Sequence, residues 1–441
     1  MKKAVIASGL TALGLILSGC TFNPFAKKLD KYTIMVYMCG ADLESGYDGY
    51  STNVNYAGLA SLDIYEMCSP SNMPKDVNII IETGGAMKWK NGKIDASKLQ
   101  RWHIQNRALV EDETLNYQSM GKSSTFQSFL EWGLTKYPAE KTGVIMWNHG
   151  GAMQGVCFDE KRDGDGLLTS EVASALKGAF ETTGRKEKLE WIGYDACLMQ
   201  VQDIAEANSD YFNYMVGAQE SEAGEGWDYD KWLPLLYQHE PTETILNKIC
   251  DTFVAAAGTR GNDQTLSVLD LNKMDAYKSA WENLSSSINQ TVASSQKSTF
   301  QNMMKSVKTY GTTYYSQEDL AEFGLSTNPA SNNYYGKYGI VKEGYLYVDY
   351  GYNSFGTFDV VDFLNKLENQ YSSLNSEIAL VENAYNDMLV HNTAGADAGE
   401  SNGLCLFFPM HERCSANTYY SARETRFTSW KAVTASLGEY R

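Results

Sequence analysis

Two short segments of this 441-residue chain end in side chains that could do nucleophilic chemistry. The first reads Val144-Ile145-Met146-Trp147-Asn148-His149-Gly150-Gly151. The second reads Trp191-Ile192-Gly193-Tyr194-Asp195-Ala196-Cys197-Leu198. A cysteine thiol of ordinary pKa, about 8.5, is only a few per cent thiolate at neutral pH. An imidazole beside it can take the proton as sulfur attacks, then pass it to a leaving amine. Backbone N–H groups near Gly150 and at Cys197 could hold the developing oxyanion. Taken singly the residues say little: a cysteine after an apolar run usually packs a core, and a histidine before Gly-Gly usually sits in a loop. Their joint placement leaves catalysis and packing both open on residue chemistry alone.

Both segments read as buried strands. So do Tyr32–Met38, Val77–Glu82, Tyr214–Ala218 and Leu266–Asp270, all rich in Ile, Val, Met or aromatic residues. Helical patterns fall between them, at about Ala57–Met67, Phe126–Lys136, Ser170–Thr182, Leu198–Asn208 and Glu243–Ala257. Alternation of this kind predicts an α/β fold with a mostly parallel sheet covered on both faces. Ligands then bind beyond the carboxyl ends of the strands, where His149 and Cys197 would share one crevice if their strands are neighbours. A helix starting at Cys197 would place its positive end at the sulfur and favour thiolate. Lys98–Ile104 alternates and reads as an edge hairpin strand. After Leu271 the character changes. Tyr277–Ile288, Ser298–Val307, Phe358–Glu368 and Leu374–Leu389 are helical in pattern, residues 309–337 read as a long loop, and Tyr345–Tyr350 and Leu404–Pro409 as strands. The expected layout is a core over 31–270 and a C-terminal α+β subdomain over 271–441, whose late strands could return to the core sheet.

An apolar block followed by His-Gly, then a second followed by Ala-Cys, resembles the clan CD cysteine peptidases. The fuller strings are similar to the clostripain family. They are Thr33-Ile34-Met35-Val36-Tyr37-Met38 with Ala41-Asp42-Leu43-Glu44, then Trp147-Asn148-His149-Gly150, then Tyr194-Asp195-Ala196-Cys197-Leu198-Met199. Ala218-Gln219-Glu220-Ser221-Glu222 with Gly224-Glu225-Gly226-Trp227 resembles that family's loop after the nucleophile, and Gly403–Pro409 a late strand. The resemblance implies a caspase-like three-layer sandwich, Cys197 as nucleophile, His149 as base, and cleavage after Arg or Lys. Asp195 and Glu225 would then pair with the basic side chain, ideally in a bidentate fork. Asp195 suits a helix cap equally well. Relatives tend to carry Asp where Glu225 stands, and Glu220 and Glu222 are neighbouring alternatives. Some members are activated by self-cleavage after the histidine. Here that segment runs Phe158–Gly166 and offers Lys161 and Arg162 in an exposed, flexible stretch, or simply a solvated turn. The chemistry requires no metal. Some relatives use calcium, which stays open for this chain, although Asp163-Gly164-Asp165-Gly166 fails as an EF-hand loop because Lys161 and Val172 stand at its first and last ligand positions.

The ends and the composition give the setting. Lys2 and Lys3, an apolar stretch to Leu17, and Leu17-Ser18-Gly19-Cys20 read as a secretory leader that resembles a bacterial lipobox, with lipidation on Cys20. Residues 20–30 read as a tether. The formal net charge is −17, and removing residues 1–19 takes away two lysines and no acid. Such an acidic chain is a poor partner for nucleic acid. Eight cysteines without a CxxC pair argue against a disulfide framework or zinc cluster, and Cys39, Cys157, Cys250 and Cys405 read as core. His103 and His239 show no partner in sequence, and His391 reads as loop. The functional expectation is an endopeptidase anchored to the cell envelope by lipid, with protein or peptide substrates. The alternative is a surface lipoprotein that binds peptide or glycan without cutting, glycan through the tyrosines of 309–350.

Overall fold

The computed structural model describes residues 29–46, 58–256, 262–292, 294–311, 313–315, 340–342, 345–348, 355–410 and 424–438. The leader, Cys20, most of the tether and most of the Tyr-rich stretch lie outside the described residues. A nine-stranded sheet forms the centre. Its strands are β1 (Asp30–Cys39), β2 (Val77–Gly84), β3 (Lys98–Gln105), β4 (Ala108–Asn116), β5 (Ala139–Trp147), β6 (Leu189–Asp195), β7 (Phe212–Gly217), β8 (Thr265–Asp270) and β9 (Leu389–Ala394). The spatial order is β9-β8-β7-β6-β5-β1-β2-β3-β4. The five strands β2, β1, β5, β6 and β7 run parallel, and the pairs on either side of them are antiparallel.

The parallel strands read as continuous apolar runs because both sheet faces are covered. Alternate side chains go to opposite sides. Met35 and Tyr37 of β1 join one cluster, while Ile34, Val36 and Met38 join the other. The first face is covered by α3 (Ser123–Lys136), α4 (Thr169–Thr183) and α5 (Gln202–Ser209). The second is covered by α2 (Leu59–Cys68), α6 (Tyr229–Tyr237) and α7 (Thr242–Ala256), whose Ile245, Ile249 and Phe253 are fully buried. A short helix α1 (Ala41–Ser45) follows β1 directly. This is the three-layer α/β sandwich.

Past residue 271 come α8 (Met274–Thr291), α9 (Lys297–Met304), α10 (Val360–Gln370), α11 (Asn375–Met388) and α12 (Thr428–Leu437). Trp281 and Phe363 pack on Trp430 at ring distances of 5.3 and 5.5 Å. That aromatic group belongs to the same cluster as Met35, so the core is continuous across residue 271. The strand that reaches the sheet is β9, antiparallel to β8, in a place where the sequence reads as helix end and loop. Leu404–Pro409 contributes instead a short strand, Cys405–Phe407, that pairs with Thr357–Asp359. The described parts of the Tyr-rich stretch make a small antiparallel sheet of Thr313–Tyr315, Ile340–Lys342 and Tyr345–Val348 rather than a single loop and strand.

Other departures from the sequence reading have local causes. The helix expected from Leu198 starts at Gln202. Residues 198–200 are committed elsewhere: Leu198 N–H donates to the Glu220 carbonyl at 3.1 Å, Gln200 N–H to that of Ala218 at 3.0 Å, and the Cys405 N–H to the Gln200 carbonyl at 2.8 Å. Leu198 itself is left-handed, with φ 66°. Lys98–Gln105 is not an edge, since β4 pairs outside it. His103, His239 and His391 each meet an acid, Asp112 at 3.2 Å, Asp76 at 3.4 Å and Asp251 at 2.7 Å.

Candidate active site

The tips of β1, β5 and β6 lie side by side, and a cleft of about 360 Å³ opens beyond them. Its walls include Asp42, Asn148, His149, Asp195, Cys197 and Glu222. The two residues singled out by their strand ends therefore do meet. Their backbones are in contact: a Cβ built on Gly150 would lie 2.0 Å from the Cys197 carbonyl oxygen. Only a residue without a side chain permits that approach. Asn148 fastens the β5 tip, donating its amide to the Cys39 carbonyl at 2.7 Å and accepting from the Phe158 N–H at 2.7 Å.

His149 Nε2 lies 2.8 Å from Asp42 Oδ1. Burial opposes ionisation of Asp42, but the hydrogen bond and charge of His149 outweigh it and hold the carboxyl below its ordinary value. Asp42 is held in place through its helix. Buried Glu44 accepts from the Ser61 N–H at 2.9 Å and Ser61 Oγ at 2.6 Å, and Ser45 Oγ donates to Glu160 at 3.0 Å. With Nε2 engaged by a carboxylate, Nδ1 is the nitrogen left for exchange with a thiol. Asp42 was present in the sequence as part of the Ala41–Glu44 string. Its proximity to His149 depends on β1 lying beside β5, which only the strand order reveals.

Cys197 is partly exposed, and it does not start a helix: α5 begins only at Gln202. Burial, then the Glu222 carboxyl, push its thiol up to about 11, against the backbone N–H groups of Glu222 and of Cys197 itself. The Glu222 N–H donates to Sγ at 3.2 Å. Among the described residues, neither the Gly150 nor the Cys197 N–H donates to another backbone group.

Asp195 is not a helix cap. It is 4% exposed and accepts from Tyr229 OH at 2.8 Å and the Trp227 N–H at 3.3 Å. Asp63 of α2 lies behind it, accepting from Trp147 Nε1 at 2.6 Å. Gly226, at φ 66°, faces both acids: a Cβ there would sit 2.9 Å from Asp63 Oδ2 and 3.1 Å from Asp195 Oδ1. Glu225, in the same turn, does not line the cleft, whereas Glu222 does. No lysine or arginine lines it among the described residues.

The candidate cleavage segment packs against its neighbours. Glu160–Arg162 form a helical turn capped by buried Asp159. Lys161 Nζ donates to the Ala96 carbonyl and lies 4.3 Å from the Tyr117 ring centre, while Arg162 lies 5.1 Å from the same ring. Asp165 of the Asp-Gly repeat accepts from Ser119 Oγ at 2.7 Å and pairs with Lys122. Among the described residues, no group of three or more His, Cys, Asp or Glu side chains is arranged to hold a metal ion. Among them also, no helix is long and apolar enough to cross a membrane.

The chain is similar to known proteins over most of its length. A model of the clostripain family matches residues 36–420. Clostripain from Hathewaya histolytica is 23% identical over 463 aligned residues, covering 91% of this chain and 78% of that protein. A secreted C11 cysteine protease from Bacteroides thetaiotaomicron, solved with an irreversible peptide inhibitor, superposes with a TM-score of 0.57 at 14% identity, over 91% of this chain and 99% of that one. An inactive zymogen C11 protease from Parabacteroides distasonis gives 0.55 at 13% identity, with the same coverage. At such identities the solved structures establish the caspase-like fold. The family match over most of the chain establishes that this protein belongs to the clostripain family of clan CD cysteine peptidases, as a cysteine-type endopeptidase acting on protein or peptide substrates.

Proposed function

We propose that the protein is a secreted endopeptidase, lipid-anchored through Cys20, that cuts after Arg or Lys with Cys197 as nucleophile and His149 as base. The observation that carries this is the shared cleft. His149 and Cys197 stand at neighbouring strand tips, with buried Asp195 below them and, among the described residues, no lysine or arginine in the walls. A buried carboxylate at the floor of such a cleft favours a guanidinium or ammonium.

The resting sulfur is a thiol, so its proton leaves as attack proceeds rather than beforehand. His149 Nδ1 takes that proton, and Asp42 stabilises the resulting imidazolium as a positioning residue. The tetrahedral oxyanion is held by the N–H groups of Gly150 and Cys197. The imidazolium then protonates the leaving amine, a thioester remains on Cys197, and water activated by His149 releases the acid. Asp195 reads the basic side chain.

The test is direct. Residues 21–441 are assayed on fluorogenic peptides ending in Arg, Lys, Gln or Asp, beside Cys197→Ala. Arg or Lys cleavage lost in the variant is expected. Equal rates in both proteins would refute the nucleophile, and cleavage only after Asp or Gln would refute the pocket. The anchor is tested separately: full-length protein should fractionate with membranes and Cys20→Ala should not.

A further inference from the structure

The turn after β7 grips the backbone behind the nucleophile. Leu198, left-handed at φ 66°, donates its N–H to the Glu220 carbonyl, and Gln200 donates to that of Ala218. Gln219 stands between those two carbonyls in the chain, is 1% exposed and does not line the cleft. Its own N–H and that of Glu220 donate to Thr265 Oγ1 of β8 at 3.1 and 3.0 Å. Its side chain reaches past residue 271: Oε1 accepts from the Gly403 N–H at 2.5 Å, and Nε2 donates to Asp359 Oδ2 at 3.0 Å.

Asp359 is fully buried, and both its oxygens are crowded with donors. Oδ1 accepts from the Val361 and Asp362 N–H groups at the start of α10 and from Asn402 Nδ2, each at 3.0 Å. Besides Gln219, Oδ2 accepts from Tyr310 OH at 2.7 Å and from the Asn402 N–H at 3.0 Å. Asn402 leads into the short strand Cys405–Phe407, whose Cys405 N–H donates to the Gln200 carbonyl at 2.8 Å. The circuit therefore closes on the segment it started from. An asparagine cannot replace Asp359, because either orientation of its amide turns an NH2 towards a backbone N–H.

We infer that Gln219 is a positioning residue for Cys197, and that Asp359 anchors it from the C-terminal part of the chain. Held by Asp359 and Gly403, Gln219 keeps the carbonyls on either side of it where they grip Leu198 and Gln200. That grip sets the backbone one residue from Cys197, and so the direction of the sulfur and of the Cys197 N–H that the mechanism aims at the oxyanion. Small displacements of reacting groups are expensive in rate, so the link acts on turnover more than on substrate binding. The inference rests on Cys197 as the nucleophile proposed above.

Two variants of the full chain separate positioning from plain stability. Gln219→Leu removes the side-chain hydrogen bonds of the turn. Tyr310→Phe removes one hydrogen bond from the same carboxyl and leaves the Gln219 link intact. Both should melt at lower temperature. On the fluorogenic peptide that wild type cuts fastest, Gln219→Leu should lose at least about 30-fold in kcat with KM within about threefold. Tyr310→Phe should keep kcat within about twofold. A Gln219→Leu protein with unchanged kcat would overturn the inference, as would a Tyr310→Phe protein that loses as much. If Gln219→Leu does not fold, an exchange of donor and acceptor decides. Gln219→Glu sets two carboxyls against each other, and adding Asp359→Asn supplies a donor again, so the double variant should regain at least about fivefold in kcat over Gln219→Glu alone. No recovery would overturn the link. A Cys197→Ala protein with wild-type activity would sink the nucleophile; dependence on Cys197 with a fully active Gln219→Leu would sink this inference only.

Discussion

Asp42 is the carboxylate that pairs with the proposed base, His149. It stands 2.8 Å from His149 and is fixed by a helix whose neighbouring Glu44 is fully buried. On the proposed mechanism, Asp42→Asn keeps the shape and removes the charge that favours the imidazolium. Its kcat should drop by roughly 10- to 100-fold with KM little changed. Steady-state kinetics across pH 5.5–8.5 check this, and a variant that lost KM instead would be a folding defect. Cys197 and His149 were legible because each terminates an apolar run, a pattern that sequence displays locally. Asp42 was not, since its place depends on which strands are neighbours. That Glu222 rather than Glu225 lines the cleft was equally hidden. Three residues apart, they are sorted by the turn at Gly226, whose left-handed backbone turns the chain beside Asp63 and Asp195.

At the scale of elements, the site is the junction of two strand tips. Gly150 lies against the Cys197 backbone so closely that a methyl group would sit 2.0 Å from its carbonyl oxygen. Gly150→Ala must therefore push the tips of β5 and β6 apart. We expect a kcat loss of at least about 100-fold, since misplacement by an ångström near the chemistry costs that much. Circular dichroism should remain that of a folded sheet, because the sheet interior is untouched. The parallel strands and covering helices could be read from apolar runs alternating with helical periodicity. The stretch after Cys197 could not. Its pattern is helical, but the carbonyls of Ala218 and Glu220 take its N–H groups and Cys405 takes a carbonyl, so tertiary pairing overrides local preference for one turn. β9 was missed for the same reason: its half-buried residues are ordinary until β8 is beside them.

At the scale of the whole molecule, two buried carboxyls tie distant segments together, one of them joining α5 to the C-terminal part. Asp203 on α5 accepts from the Arg426 N–H at 2.7 Å, and burial pushes its carboxyl up to about 7. Buried Glu82, for the same reason, also stands at about 7 despite Arg101 beside it. The native protein thus binds protons that the unfolded chain releases above about pH 4. Stability should fall as pH rises from about 4 towards 7, by on the order of 4 kcal/mol for Asp203. Thermal melts between pH 5 and 8 should show this decline, and Asp203→Asn should flatten it; a slope unchanged in the variant would place the effect elsewhere. The sequence boundary near residue 271 marked a change in composition, yet the aromatic group around Trp281 and Trp430 joins the main core. The closing strand bears on how the chain assembles. β9 follows β8 by about 120 residues, a long-range pairing of the kind that slows folding. Until it arrives, β8 presents a raw row of amides and carbonyls that another chain can zip onto. A protein ending before Leu389 should scatter light on refolding while the complete chain stays clear at the same concentration. On that expectation, the last fifty or so residues decide whether the rest of the chain remains single.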